Sequence, residues 1–466
     1  MGSMGDASEI RFENRMSDAD SLMWLIERDP LLRSTIILVT MLEHAPDRAQ
    51  LQWRVDRATR RIPRLRQRVV ANPLSIAPPR WELDPNFNLS YHLRYISAND
   101  EGGLREVLDF AQPVAMQGFD RARPLWEFTM IDGLAGGAAA LVMKVHHAIT
   151  DGVGGVEMML ETFSLDGDVE EPGELPPEPY VYVLNQVERV RDAIAHETRR
   201  SLGIAKRAFR SLQSPDLDPE RAARRAGETA ASATRLLRPA VRPLSELMDD
   251  RSLSVHFETM TLPLDGLKAA AAGAGAKMNA AFLAGITRGL AAYHDHHDKP
   301  VEQLRMGIPI SNRSDDTAEV AGNQFTPARS AVPASISDPR EHMARLDRLV
   351  RGLRDEPANA LVDPMAGILR RMPQALVSNL FHTMLRGVDF TASNVPGVPV
   401  PLYLEGAPVV DQYALGPLSG AGINVTLLSY VDNVNIGVNI DPAAVPDPDV
   451  LMTCLDKAYD EILAVV

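Results

Sequence analysis

An apolar segment that runs into two adjacent histidines and an Asp-Gly pair is the feature that most constrains this chain. Residues Ala138 to Gly155 read AAALVMKVHHAITDGVGG. The apolar part is too short to span a membrane and is typical of a buried strand. Beyond the glycines, apolar side chains recur at helical spacing, at Val156, Met159, Leu160 and Phe163. The segment therefore predicts a strand, a tight turn and a helix, with both histidines where the strand ends.

The two histidines are expected to point in opposite directions, because side chains alternate along a strand. His147 continues the face of Met143 and Val145, whereas His146 continues the face of Lys144. Only one imidazole can therefore point into a given cleft. A neutral imidazole accepts a proton readily near physiological pH, which makes that histidine a candidate general base.

The Asp-Gly pair leaves three interpretations of this motif open. Asp151 can orient a histidine ring or brace the turn, and Gly152 suits a backbone position with positive φ. The local pattern fits a catalytic base, a buried structural histidine or part of a metal site. Zinc would need further ligands, and none cluster nearby, so we assign no metal.

Composition narrows the class of protein. The chain has 466 residues, 45% of them apolar and 24% charged, as in an ordinary globular protein of two or three domains. The net charge of −14 argues against a nucleic-acid partner. A single cysteine, Cys454, excludes internal disulfides and favours a reducing, cytoplasmic location. No signal peptide or uninterrupted apolar span is evident, so any contact with the inner membrane or with lipid inclusions is expected to be peripheral.

The order of strand-like and helix-like segments predicts two α/β lobes of similar size that face each other. We place the first lobe at residues 1–165 and the second at 253–466. Residues 166–252 form an acidic, proline-rich linker followed by a basic helical hairpin at 186–242. The basic charge is that of a solvated helix face, of a contact with anionic lipid, or of a contact with the phosphates of a cofactor.

Several local predictions in both lobes bear on the site. Asn279 is expected to cap a helix over 280–293, and residues 394–397 are expected to form a turn after a strand over 388–393. Residues 89–96 are expected to form a strand, and 423–430 and 433–440 to form two strands about a turn.

Five segments, in this order, resemble the bacterial wax ester synthase/diacylglycerol acyltransferase family. They are Met16 to Asp20 (MSDAD), Pro124-Leu125-Trp126, His146 to Gly152 (HHAITDG, the HHxxxDG motif of condensing acyltransferases), Pro309 to Arg313 (PISNR) and Ser393 to Gly397 (SNVPG). The matches are spread over almost the whole chain. The HHxxxDG pattern alone would also fit peptide-synthetase condensation domains, and the other segments favour the wax ester synthase family.

The resemblance implies a fold and a reaction. The fold would be two chloramphenicol-acetyltransferase-like lobes, each a mixed sheet with helices, joined by a crossover and facing a central channel. The co-substrate would be acyl-CoA, with no permanently bound cofactor, and the acceptor would be a diacylglycerol or a long-chain alcohol. The second histidine, His147, would be the general base. Ala280 stands where the family commonly has an Asp after the Asn that matches Asn279.

We assign roles to the other motif residues on this basis. The catalytic set comprises His147, His146, Asp151, Gly152 and Asn279. His147 would take the proton from the acceptor hydroxyl, which attacks the thioester directly, since the chain has no G-x-S-x-G nucleophile elbow. Asn279 would donate a hydrogen bond to the oxyanion or hold the acceptor.

The remaining motif residues are expected to shape the site. Asp151 is assigned to the architecture of the turn, with Arg313 as its partner. The substrate-side residues are Pro124, Leu125, Trp126, Asn394, Val395, Pro396 and Gly397, which would pack beside the site or line the channel.

Three other functions are compatible with parts of the pattern. A condensation-type transferase would use a carrier-protein thioester, although no carrier segment is evident in the chain. A non-catalytic protein on this scaffold would bind lipid without His147. A metal-dependent hydrolase is the least favoured, because the metal ligands are too few.

Overall fold

A computed structural model describes residues 13–72, 77–99, 101–149, 161–169, 171–212, 242–311, 325–356, 362–369 and 372–465 of the chain. Within these ranges, two six-stranded sheets form the centres of two lobes, and a two-stranded ribbon lies beside the first. Helices accompany both sheets, so the predicted class, α/β with two mixed sheets, is confirmed.

The described residues of the first part of the chain form six strands and five helices. The strands are β1 Thr35–Leu42, β2 Gln67–Val70, β3 Arg80–Leu83, β4 Leu93–Ser97, β5 Trp126–Asp132 and β6 Ala139–His146. The helices are α1 Asp18–Ile26, α2 Arg48–Arg61, α3 Leu89–His92, α4 Leu104–Met116 and α5 Gln186–Leu212.

The second part contributes eight strands and six helices among the residues described. The strands are β7 His256–Pro263, β8 Gln303–Ser311, β9 Phe325–Pro333, β10 Phe390–Val395, β11 Tyr403–Leu404, β12 Ala407–Leu415, β13 Ile423–Tyr430 and β14 Asn433–Ile440. The helices are α6 Leu264–Gly273, α7 Met278–His296, α8 Pro339–Arg354, α9 Val362–Leu369, α10 Gln374–Arg386 and α11 Pro448–Leu463.

The first sheet contains strands from both ends of the chain. Its order is β11-β12-β1-β6-β5-β4, and β12 pairs antiparallel with β1, opposing Val39 and Tyr413. The second sheet has the order β7-β14-β13-β10-β8-β9. Residues 403–415 thus leave the second lobe to complete the sheet of the first, as a crossover requires. The lobe boundaries at residues 165 and 253 stay a prediction. The first sheet contains strands from both sides of these boundaries.

The two sheets bury separate cores. In the second lobe, α7 packs through one face on the sheet and through another on α11, where Gly285 allows close approach. A Cβ atom at Gly285 would lie 2.1 Å from the Tyr459 ring, so only glycine fits there. In the first lobe, apolar residues of β5 and β6 pack on both sides of the sheet, which is why β6 begins with a continuous apolar run.

Three local predictions are wrong in detail. The segment at 89–96 begins with the short helix α3, capped by Asn88, before β4. Asn279 is the second residue of α7 rather than its cap, because the helix begins at Met278 and Lys277 occupies the N-cap position. Asn394 and Val395 are the last residues of β10 rather than turn residues. Each error is a shift of a few residues at an element end.

Other predictions hold. The strands β13 and β14 have the predicted bounds and pair antiparallel about Val431 and Asp432. Helix α5 begins at Gln186, where the predicted basic hairpin begins, and runs to Leu212. The second predicted helix of the hairpin lies outside the described residues.

Candidate active site

The two histidines lie where a central strand of the first sheet ends. Strand β6 is flanked by β1 and β5, and His146, its last residue, lies opposite Thr35 of β1. The backbone N–H of His147 donates to the carbonyl of Ser34 over 2.9 Å, and that of His146 donates to Leu125 over 3.0 Å. Both neighbouring segments therefore fix the backbone of the histidine pair.

His146 is fully buried and engaged. Its Nδ1 accepts a hydrogen bond from the Ala148 N–H at 2.9 Å, which leaves the proton of the neutral ring on Nε2. Nε2 lies 2.9 Å from the Glu27 carboxylate, although the ring N–H is not aligned with the oxygen, so the contact is chiefly electrostatic. The edges of Trp24 and Phe119 enclose the ring. The first histidine is thus a structural residue of the strand end.

Glu27 is a site residue that the sequence motifs do not contain. It follows α1, and the oxygen that faces His146 also accepts the Ser34 N–H at 2.6 Å. Burial alone would raise the pKa of Glu27, but His146 and the Ser34 N–H outweigh it and lower the pKa below the usual range. One ionised carboxylate therefore contacts the ring of His146 directly and is linked to the backbone of His147 through Ser34.

His147 differs from His146 in its exposure. His146 has 0% of its surface exposed, whereas His147 is only partly buried. One residue of the pair is therefore in the interior and the other is partly exposed, and the direction of each imidazole stays a prediction. Asp151 and Gly152, which complete the motif, and Arg313, the expected partner of Asp151, lie outside the described residues.

Two predicted site residues from different motifs meet in the second lobe. The Asn394 amide donates to the Asn279 side-chain oxygen over 3.3 Å, joining the end of β10 to the first turn of α7. Asn279 is partly buried and Asn394 is exposed. Ala280, which replaces the family's Asp, has 1% of its surface exposed and packs in the core. A small apolar side chain suits this position, because a buried carboxylate would need a partner.

The end of the SNVPG segment is held against β13. The Gly397 N–H donates to the Ser429 hydroxyl at 3.1 Å, and a Cβ atom at Gly397 would lie 1.6 Å from the Ser429 carbonyl oxygen. Val395 is partly buried and Pro396 is exposed. The segment therefore has one residue that must be glycine and one that faces solvent.

Pro124, Leu125 and Trp126 belong to the core beside the histidines. All three are buried, and the Trp126 indole N–H donates to the Leu65 carbonyl at 2.7 Å. His92 stacks on the Trp126 ring, with 4.6 Å between ring centres, and burial lowers the pKa of His92 to about 4. Leu125 reaches the site through its carbonyl, which accepts the His146 N–H. A substrate contact for these three residues stays a prediction.

Other reactive groups are few in the described ranges. There, no set of three or more His, Cys, Asp or Glu side chains is arranged to hold a metal ion. Cys454 is partly buried on α11, and burial raises the pKa of its thiol. Among the same residues, no helix combines the length and apolar character needed to cross a membrane.

Comparison with known proteins identifies the family. The family model of the wax ester synthase/diacylglycerol acyltransferase catalytic domain matches residues 16–282, and that of the C-terminal domain matches residues 321–463. The chain belongs to this family, and it is therefore an acyltransferase. The resemblance inferred from the motifs is confirmed.

Individual relatives agree with this assignment. A putative diacylglycerol O-acyltransferase of Mycobacterium tuberculosis is 35% identical over 458 residues, which cover 97% of this chain and 92% of the relative. The structure of the wax ester synthase/diacylglycerol acyltransferase from Marinobacter aquaeolei has a TM-score of 0.62 at 20% identity, covering 96% of this chain and 98% of that one. The first condensation domain of the calcium-dependent antibiotic synthetase has a TM-score of 0.60 at 15% identity, covering 97% and 96%. The two structures show the shared two-lobed fold.

Proposed function

We propose that the protein transfers a fatty acyl group from acyl-CoA to the hydroxyl of a diacylglycerol or a long-chain alcohol, with His147 as the general base. The observation that carries the proposal is the division of labour between the histidines. His146 is buried and engaged by Glu27 and Ala148, whereas His147 is partly exposed on a backbone that Ser34 fixes. A base on a rigid strand end, open to one side, suits proton abstraction from a bound alcohol.

The chemistry needs no covalent enzyme intermediate. His147 removes the proton of the acceptor hydroxyl as its oxygen attacks the thioester carbonyl. The tetrahedral oxyanion then collapses, the C–S bond breaks, and the CoA thiolate takes the proton back from the imidazolium. A positioned base contributes roughly 10²–10⁴ in rate.

Asn279 is proposed as the hydrogen-bond donor of the site. Its side-chain oxygen accepts from Asn394, so the opposite end of the amide, the NH₂ group, is the end that can donate. A hydrogen bond to an oxyanion or to the acceptor oxygen requires that this NH₂ group, rather than the amide oxygen, face the reacting atoms. The contribution of one such donor is roughly 10²–10³ in kcat.

The acyl donor distinguishes this function from its main alternative. Condensation domains share the fold, and their reaction uses thioesters of carrier proteins as acyl donors. The test compares two acceptor-dependent reactions. One is the release of CoA from palmitoyl-CoA, and the other is the release of free carrier protein from its palmitoyl thioester. Turnover with palmitoyl-CoA and either diacylglycerol or hexadecanol supports the proposal, and turnover with the carrier thioester alone contradicts it.

We further propose peripheral contact with an anionic lipid surface through α5 and the segment before it. Several apolar side chains there are well exposed, among them Tyr180 (86%), Val187 (61%), Ile194 (52%) and Leu202 (65%). Arg191 and Arg199 are exposed on the same helix. Two other arginines of α5 form ion pairs instead, since Arg189 pairs with Glu82 and Arg200 with Asp18. An apolar stripe flanked by cations is typical of helices that lie on lipid.

Sedimentation with vesicles tests this contact. Vesicles of phosphatidylglycerol and phosphatidylcholine should retain the wild type, and the double variant Ile194→Ser/Leu202→Ser should be retained less. Equal retention of the two proteins contradicts the assignment of the lipid-facing surface.

A further inference from the structure

A cavity of about 300 Å³ lies next to the buried histidine and has no assigned role. Its lining comes from the end of α1, the segment that leads into β1 and the loop after α4, and includes Trp24, Glu27, Arg28, Arg33, Phe119 and Arg121. Three of the eight lining residues are arginines. We infer that this cavity binds a phosphate group of the acyl donor, which deepens the proposed function and rests on it.

The cavity carries an excess of positive charge. Its one carboxylate, Glu27, contacts His146 and the Ser34 N–H and also interacts electrostatically with Arg121, so a single acidic group faces three arginines. The whole chain has 62 acidic and 48 basic residues, and a pocket with the opposite balance is therefore unexpected from composition. A concave surface lined by charge of one sign concentrates ligands of the other sign.

The arginines are arranged so that donors remain for a ligand. Arg33 donates through Nη1 to the Met116 carbonyl. Arg121 lies over the Trp24 ring at 4.0 Å and donates through Nη2 to the Trp24 carbonyl at 3.2 Å. A guanidinium has five N–H groups, so each of these contacts fixes the side chain and leaves other N–H groups to donate. Arg28 makes no hydrogen bond or ion pair with any residue in the part of the chain described.

A buried lysine backs one wall of the cavity. Lys144 has 0% of its surface exposed, and its ammonium group lies 4.5 Å from the centre of the Phe119 ring. Its Nζ makes no hydrogen bond among the described residues, and its nearest carboxylate, Glu127, is 3.8 Å away and also pairs with Arg94 at 3.2 Å. This cation adds to the positive potential behind the aromatic wall.

The chemistry of the lining selects the ligand. Guanidinium groups pair bidentately with phosphate oxygens, and arginine is the usual residue where phosphate is recognised. The fold places this pocket beside the catalytic strand end, because Glu27 lines the cavity and also contacts His146. An acyl-CoA carries phosphates at a distance from its thioester, and a phosphate held here would anchor the donor while its acyl end reaches the site.

Calorimetric titration of the full-length protein with CoA tests the inference. Arg28→Glu is the primary variant, because Arg28 is exposed and makes no hydrogen bond or ion pair with the described residues that its replacement would break. We expect its affinity for CoA to fall about tenfold or more, the loss of one charge-assisted hydrogen bond. Arg121→Gln provides a second variant, and Arg345→Glu, at an exposed arginine of α8, is the matched control and should bind CoA as the wild type does.

Two further ligands identify the phosphate. If the 3′-phosphate occupies the cavity, dephospho-CoA should bind the wild type weakly and Arg28→Glu should have no further effect on it. If the pyrophosphate occupies the cavity, Arg28→Glu should weaken the binding of CoA and of dephospho-CoA equally. Either result supports the inference. Inorganic phosphate, titrated alone, should compete with CoA in the wild type.

Three results overturn the inference. Unchanged CoA affinity in Arg28→Glu overturns the inference and leaves the proposed function intact, whereas no binding of CoA by the wild type contradicts both. Loss of binding to phosphatidic acid vesicles in Arg28→Glu, with CoA binding intact, assigns the arginines to a lipid headgroup and also overturns it. Arg28-dependent CoA binding without acyl transfer would instead contradict the proposed function alone.

Discussion

Glu27 shows how one buried charge can organise two histidines. The carboxylate contacts the imidazole of His146 and the N–H of Ser34, whose carbonyl holds the backbone of His147. Removing the charge while keeping the shape should therefore disturb stability and the site together. Because Glu27 belongs to no motif, sequence patterns could not identify it: its pairing with His146 depends on how α1 packs against β1 and β6.

Replacing Glu27 by Gln should destabilise the protein by about 1–3 kcal/mol at neutral pH, as expected when a buried charged partner is lost. The folded pKa of Glu27 is lowered, so its contribution is present above the unfolded carboxyl pKa and disappears as the pH falls through the folded value. The gap in Tm between wild type and Glu27→Gln should thus be widest near pH 7 and shrink in acid. Glu43→Gln, at an exposed position, is the control. A gap that is absent at pH 7, or that widens in acid, would show that Glu27 is not stabilised as a carboxylate.

Asn279 and Asn394 should have unequal effects on catalysis. If the Asn279 amide donates to the reacting oxygens, Asn279→Ala should lower kcat by roughly 10²–10³. If Asn394 acts by orienting Asn279 rather than by contacting substrate, Asn394→Ala should lower kcat less and leave the KM for acyl-CoA nearly unchanged. Steady-state kinetics of the two variants measure the difference. A larger loss in Asn394→Ala than in Asn279→Ala would reverse the assigned roles.

At the scale of elements, the junction of β10 and β13 depends on a glycine. A Cβ atom at Gly397 would overlap the Ser429 carbonyl oxygen at 1.6 Å, and backbone cannot move aside as a side chain can. Gly397→Ala should therefore cost about 1–3 kcal/mol or prevent folding. Gly352→Ala is a matched control in α8, where an added Cβ meets no atom within 4 Å and helix propensity favours alanine. Chemical denaturation of both variants checks this, and equal stabilities would refute the tight junction.

Element ends are also where prediction from the sequence stopped short. The strands β13 and β14 were predictable because β-branched residues alternate up to a turn at Val431 and Asp432. The start of α7 was not, because Asn279 is a good N-cap in isolation, yet the chain enters the helix two residues earlier. The opposite directions of the His146 and His147 side chains stay a prediction from alternation, whereas the hydrogen bond between Asn279 and Asn394 required the tertiary fold.

At the scale of the whole molecule, the first lobe is incomplete without the C-terminal part of the chain. Strand β1 pairs on one side with β6 and on the other with β12, so removal of residues 403–415 exposes an edge of apolar residues. A protein ending at residue 252 should therefore fail to fold cooperatively and should aggregate through that edge. Hydrogen exchange and thermal unfolding of this fragment test the expectation, and a cooperative transition with protected β1 amides would contradict it. Sequence order could suggest two lobes, but not that strands pass between them.

The measurement that tests the central claim most directly is CoA release with palmitoyl-CoA and hexadecanol or diacylglycerol, by wild type and by His147→Ala. His44→Ala, at an exposed histidine of the same lobe, controls for loss of an imidazole as such. We predict that acceptor-dependent release falls by roughly 10²–10⁴ in His147→Ala, with its Tm preserved, and is unchanged in His44→Ala. Near-wild-type turnover in a folded His147→Ala protein would contradict the assignment of His147 as the general base.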